Sequence, residues 1–133
     1  VWSGRALLID VCVWRIPVEN HEKLLEGWRE VMDYQKSHPE KVHYTRSRFF
    51  TLTEEGSSEE TWMFIDEYED REAYDKMMKA FQEDPDLVKL KKKWRLQWDS
   101  MIVPSSRKSE LWTEVEKLRV EFGKETRRRK RKD

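Results

Sequence analysis

The chain has 133 residues, enough for one domain with a core of its own. Its hydrophobic fraction is 37% and its charged fraction 41%, a mix that would suit a disordered chain, but seven Trp, five Phe and four Tyr argue against disorder. Formal net charge is zero, yet six positive charges stand together in Arg127–Lys132, so residues 1–126 are net acidic by about five charges, unlike a nucleic-acid-binding body.

Cys12 is the single cysteine, so no internal disulfide or Cys-x-x-Cys metal site exists, and a small buried hydrophobe in a reducing cytoplasm is the expectation. The first residues lack a secretory h-region with a cleavage site, and no apolar run approaches a membrane span. Abundant Lys, Arg and Glu with one Asn and three Gln hint at a thermophilic source.

Residues 1–5 read as a lead-in. Residues 6–16 alternate as a strand, with Leu7, Ile9, Val11 and Val13 on one face and Leu8, Asp10, Cys12 and Trp14 on the other. The first face is purely aliphatic and is expected to lie under helices. Pro17 ends the strand, and Asn20 is the expected N-cap of a helix that carries Leu24, Leu25, Trp28, Val31 and Met32 at helical spacing to about Lys36. Gly27 in its middle costs about 1 kcal/mol relative to Ala and reads as a surface or close-packing residue.

Residues 42–53 form a second, strongly β-prone strand, and 54–59 have the turn chemistry of a hairpin. The next stretch, Glu60 to Phe81, organises the chain. Trp62, Phe64, Asp66 and Tyr68 alternate with Met63, Ile65 and Glu67. The period then switches to helical, with Tyr74, Met77, Met78 and Phe81 following an Asp70 N-cap. That helix breaks at 83–86, where Asp84 and Pro85 start another carrying Leu87, Leu90, Trp94, Trp98 and Ile102. Residues 108–118 fit either a strand or a helix. A strand over 108–116 is favoured, because Trp112, Thr113 and Val115 are strand formers and the sheet needs a fourth member. The expectation is one domain over 1–123 and a basic, disordered tail over 124–133.

The order β-α-β-β-α-β is the ferredoxin-like plan. In its long hairpin, its broken second helix with EDPDLVKL (83–90) and its closing SELWTEV strand (109–115), the chain resembles the dimeric α+β barrel superfamily, leaning towards antibiotic-biosynthesis-monooxygenase-like and NIPSNAP-like members. The resemblance covers roughly residues 6–118. It implies an α+β subunit, an antiparallel sheet with helices on one face, and a homodimer in which two sheets face each other. It also implies a small-molecule pocket. Some members oxidise aromatic or polyketide-like substrates with neither metal nor flavin, and the expectation here is no cofactor and no metal. Haem-degrading members combine an Asn near the first strand, a Trp, and a His on the second helix as the iron ligand. Trp62 could serve as the Trp, but the first strand has Asp10 and residues 70–103 contain no histidine, so that activity is set aside.

On this reading Trp14, Trp62 and Tyr68 shape an aromatic pocket, with Asp10 and Asp66 as further lining. Arg46 or Arg48 steadies substrate charge, and His43 is the candidate base because imidazole titrates near neutral pH. Each has a plainer reading. The arginines can pair with Asp66, Glu67 or Glu114 across the sheet, which is favoured, and His43 can be an edge-strand polar residue. His21 and His38 are expected to face solvent. The alternative function is a non-catalytic oligomerisation module whose basic tail contacts nucleic acid or an acidic partner. In that tail, the solvated-end reading is favoured over the contact.

Overall fold

The computed structural model describes residues 6–123. Four strands and three α-helices follow in the order β1 (Leu8–Pro17), α1 (His21–Ser37), β2 (Arg46–Thr53), β3 (Glu59–Tyr68), α2 (Arg71–Glu83), α3 (Pro85–Met101) and β4 (Lys108–Thr113). The strands make one antiparallel sheet in the order β2-β3-β1-β4, the ferredoxin-like arrangement. The disordered tail expected over 124–133 lies outside the described residues.

Local chemistry explains most boundaries. Asp70 accepts from the Ala73 N–H at 2.9 Å and caps α2, and Asp84 accepts from Asp86 and Leu87 to cap α3 with Pro85 in its first turn. Gly56, at φ 77, makes the β2–β3 hairpin turn. Asn20 precedes α1 as expected, but it caps nothing. Its side-chain amide instead donates to the Met101 carbonyl at 2.9 Å and ties the start of α1 to the end of α3.

The two sheet faces have the opposite roles to those expected. Leu8, Cys12, Trp14 and Ile16 of β1 are buried under the helices together with Trp62 and Tyr68 of β3. The aliphatic set of Ile9, Val11, Val13, Met63 and Ile65 lies on the open face and is only half-buried in a single chain. The reason lies in the helices. Their inner stripes present Trp28, Trp94 and Trp98, and large flat side chains need large partners. Trp14 meets Trp28, Trp62, Phe64 and Trp98 with ring centroids 4.9–6.1 Å apart. Aromatic pairs of this kind contribute about 0.5–1.5 kcal/mol each beyond burial.

β2 begins four residues later than expected. The Thr45 N–H and hydroxyl both reach the Glu67 carbonyl, at 2.8 and 3.2 Å, and the bend they fix removes 42–45 from the ladder. At the other end, β4 stops at Thr113, and residues 116–118 form a single 3₁₀ turn.

Gly27 is a close-packing residue: a Cβ there would overlap the six-membered ring of Trp94. Gly27→Ala should therefore lower stability by about 1–3 kcal/mol, despite alanine's higher helix propensity. Urea unfolding followed by circular dichroism checks this, and a stabilised variant would contradict the contact.

Candidate functional site

The helix-covered face is not completely filled. Between the sheet and α1, α2 and α3 lies a cavity of about 270 Å³, close to the lower end of small-molecule sites. Its walls are aromatic: Trp28 from α1, Phe49 from β2, Phe64 from β3, and Trp94 and Trp98 from α3. β1 and β3 bring its polar floor. Asp10 and Asp66 stand directly opposite each other in the β1–β3 ladder, on the same face, and both line the cavity. Cβ atoms at such positions are about 4.5–5.5 Å apart, close enough for two carboxylates to repel.

The surroundings decide how this pair titrates. Burial pushes the Asp66 carboxyl up to about 7, against the hydrogen bond it accepts from the Ser47 hydroxyl at 2.5 Å, and the Asp10 carboxyl adds to the rise. Burial also raises Asp10 above the ordinary carboxylate range. Near neutral pH the floor therefore holds a carboxyl group poised between acid and base forms.

Beside it are two phenols, Tyr44 and Tyr68, stacked edge to face at 5.8 Å. Burial, helped by the charge of Asp66, holds both well above the ordinary phenol range, so both keep their protons. The Tyr44 hydroxyl donates to the Gln35 side chain on α1. Cationic groups line the cavity too. Arg107 lies over the Trp98 ring at 4.7 Å and pairs with Asp99 at 2.5 Å, and Lys91 lies over Phe81 at 5.2 Å. The buried indole N–H groups of Trp28, Trp94 and Trp98 have no acceptor among the described residues.

Of the residues singled out from the sequence, Asp66 and Tyr68 line this cavity, as does Asp10. Trp14 and Trp62 share its face but are packed into the core, with the Trp62 indole N–H donating to Glu60. Arg46 and Arg48 point to the opposite face. Arg46 Nε donates to Glu67 at 2.5 Å and Arg48 Nη2 at 3.2 Å, and the hydrogen bond from Arg46 is the first cause that holds the Glu67 carboxyl below its usual range. The ion-pair reading of the arginines thus describes them. His43 sits in the bend before β2; its backbone N–H reaches the Met77 sulfur at 3.3 Å, and its ring does not line the cavity. His21 pairs with Glu60 at 2.6 Å. No group of three or more His, Cys, Asp or Glu among the described residues could hold a metal ion.

Sequence reasoning missed Tyr44, Ser47, Gln35 and Arg107. Ser47 was within reach: it alternates with Phe49, and the hairpin register sets it opposite Asp66. Tyr44 was not, because the bend at Thr45 breaks the alternation that would have placed it.

No protein-family model matches the chain, and no curated protein matches it in sequence. Solved structures do match its fold. A putative antibiotic biosynthesis monooxygenase from Nitrosomonas europaea superposes with TM-score 0.54 at 10% identity, over 86% of this chain and 96% of its own. A variant of SnoaB, a cofactor-independent oxygenase from Streptomyces nogalater, gives 0.52 at 14% identity, over 86% and 98%. A dimeric ferredoxin-like protein from an uncultured marine organism gives 0.54 at 10%, over 86% and 99%. No helix among the described residues is long and apolar enough to cross a membrane. The chain thus has a ferredoxin-like α+β fold, the fold of these solved structures.

Proposed function

We propose that the chain works as a homodimeric α+β barrel protein that binds a small molecule in the cavity between sheet and helices, and that it oxygenates a flat, carbonyl-bearing aromatic substrate without a cofactor. The observation that carries this reading is the placement of Asp66, a carboxyl titrating near neutrality on the floor of an aromatic-walled cavity. Such a group suits proton abstraction from a carbon acid, because a base is most effective when its pKa lies near the working pH. The fold shared with a cofactor-independent oxygenase supports the same reaction class.

Asp66 would take a proton from a methylene activated by neighbouring rings and a carbonyl. The electron pair delocalises onto the carbonyl oxygen, where the protonated phenol of Tyr68 can donate to it. The carbanion then gives up electrons to dioxygen, a C–O bond forms, and the resulting hydroperoxide loses water. In sum, CH₂ and O₂ become C=O and H₂O. The indole N–H groups that lack acceptors would gain them from the substrate's oxygens. In the homodimer, the half-buried aliphatic sheet face would be covered by a second copy. A contiguous apolar sheet face left open is unusual for a monomer.

The test uses an anthrone as substrate and a hydroxyanthraquinone as ligand. Saturable quenching of tryptophan emission by the quinone is expected, since three tryptophans wall the cavity. Asp66→Asn should keep this binding but lower oxygen uptake with the anthrone by about 100-fold or more. Binding without wild-type turnover would leave an assembly or binding module, and no binding at all would remove the cavity reading.

The same carboxyl gives a stability prediction. Between its ordinary 3.8 and about 7 the folded chain holds a proton on Asp66 that the unfolded chain has released. Stability therefore falls as pH rises through that window, by roughly 2–4 kcal/mol at its upper end. Asp66→Asn cannot ionise and should unfold at a higher temperature than the wild type at pH 8, with little difference at pH 4. Equal pH slopes for the two proteins in calorimetry would place the Asp66 titration elsewhere.

A further inference from the structure

Five tryptophans on the helix-covered face touch in an unbroken series. Trp94 meets Trp28 with ring centroids 4.8 Å apart, Trp28 meets Trp14 at 5.9 Å, and Trp14 meets Trp62 at 6.1 Å. Trp98 branches from this path, 5.3 Å from Trp28 and 4.9 Å from Trp14. Trp28, Trp94 and Trp98 wall the cavity, while Trp14 and Trp62 lead away from it. Past Trp62 stands His21, its ring 5.5 Å from the indole and its side chain 37% exposed. Indole is among the side chains that give up an electron most readily, and rings this close are in or near van der Waals contact. The packing therefore joins the cavity to the surface by a path of oxidisable rings.

The rings are not equivalent. The Nε1–H groups of Trp14, Trp28, Trp94 and Trp98 are buried without an acceptor among the described residues. Trp62, alone of the five, donates to a carboxylate, that of Glu60, which is itself buried and lies 2.6 Å from His21 Nδ1. Losing an electron makes an indole N–H strongly acidic. At Trp62 the proton can pass to Glu60, and the missing electron is then held as a neutral radical. At the other four rings the charge stays, unsolvated in a low-dielectric interior. Over Trp98 the Arg107 guanidinium, 4.7 Å from the ring, opposes positive charge further. The favourable direction for a missing electron therefore runs from the cavity wall through Trp28 and Trp14 to Trp62.

We propose that the tryptophan series is a one-electron relay that drains oxidising radicals from the cavity to Trp62, where a small water-soluble enediol reductant restores the ring at the His21 edge. The oxidant is an organic peroxyl radical, formed when a substrate radical in the cavity takes up dioxygen. It gains an electron from Trp28 and a proton from the Asp66 carboxyl and becomes a hydroperoxide. The hole moves through Trp14 to Trp62, whose Nε1 proton passes to Glu60. The enediol then gives Trp62 an electron and is left as its own radical, Glu60 returns the proton, and Asp66 regains one from water. The relay rests on the oxygen chemistry proposed above for its use, but it performs no step of that reaction. It spares the cavity walls from covalent oxidation.

The test uses the full chain with Trp2→Phe and Trp112→Phe, which leaves the five indoles of the series. Anthraquinone-2-sulfonate is bound, its binding is checked by tryptophan quenching, and a laser pulse absorbed by the quinone alone makes it a one-electron oxidant. Transient absorption separates the neutral indolyl radical from the radical cation. The neutral radical is expected, with a decay that quickens in proportion to added ascorbate. Glu60→Gln, which keeps an acceptor but removes the base, and Trp62→Phe, which keeps the packing, should each lose the neutral-radical band and leave the cation. A neutral-radical band undiminished in either variant overturns the relay, because the proton then leaves elsewhere. A bound quinone that yields no indole radical overturns it too and leaves the oxygenation reading standing. The expected bands without oxygen uptake from the anthrone would support the relay and remove the oxygenation. Failure of the quinone to bind would overturn both.

Discussion

Trp14 is the side chain on which the other contacts depend. It is fully buried in the middle of β1, and rings from two helices and the neighbouring strand surround it: Trp28 from α1, Trp98 from α3, and Trp62 and Phe64 from β3. Rings this large leave few ways of packing three helices' worth of side chains on a four-stranded sheet. They fix which sheet face is inside, how near α3 may come to α1, and where a glycine is required. Gly27 answers the last of these: the α3 ring of Trp94 occupies the space a side chain would need.

Rigid rings also fill space poorly at their margins, and the cavity lies at such a margin. There the sheet contributes Asp10, Asp66 and Ser47 where packing alone would favour aliphatic residues. Two opposed carboxyls in a site this buried are costly if both ionise, and burial, with the neighbouring Asp10 adding to it, raises the Asp66 carboxyl to about 7. A residue arrangement that works against stability in this way is the usual mark of a site kept for chemistry. The neighbouring tyrosines hold their protons: that of Tyr44 goes to Gln35, and Tyr68 stands as the phenol donor beside the titrating carboxyl.

The order of elements, the hairpin, the caps at Asp70 and Asp84 and the fourth strand could all be read from period and turn chemistry. Which face goes inside could not be read from β1 alone. An aliphatic row looks like a core, and a row containing Asp10 does not. The deciding signal was in the helices, whose inner stripes carry Trp28, Trp94 and Trp98, matched in size by Trp14, Trp62 and Phe64. Asp66 and Tyr68 were legible as cavity residues because they continue that aromatic row. Arg46 and Arg48 pair with Glu67 on the other face, and no period-two pattern distinguishes an arginine facing a ligand from one facing a carboxylate. His43 and Tyr44 depended on strand continuity through Thr45, which two hydrogen bonds to one carbonyl interrupt.

The core itself is divided. One buried cluster gathers Trp14, Ile16, Leu24, Trp62 and Trp98, the other Leu8, Tyr68, Met77 and Leu87, and the cavity takes side chains from the surroundings of both. α2 belongs to the second cluster alone, through Met77 and its half-buried neighbours. The tryptophans therefore tie α1 and α3 to the sheet but not α2. Elements that share few buried contacts with the main core open at lower free energy than those within it, which makes α2 the least anchored of the three helices. In amide exchange this would show as α2 protons exchanging together, at a lower free energy than those of β1 and β3.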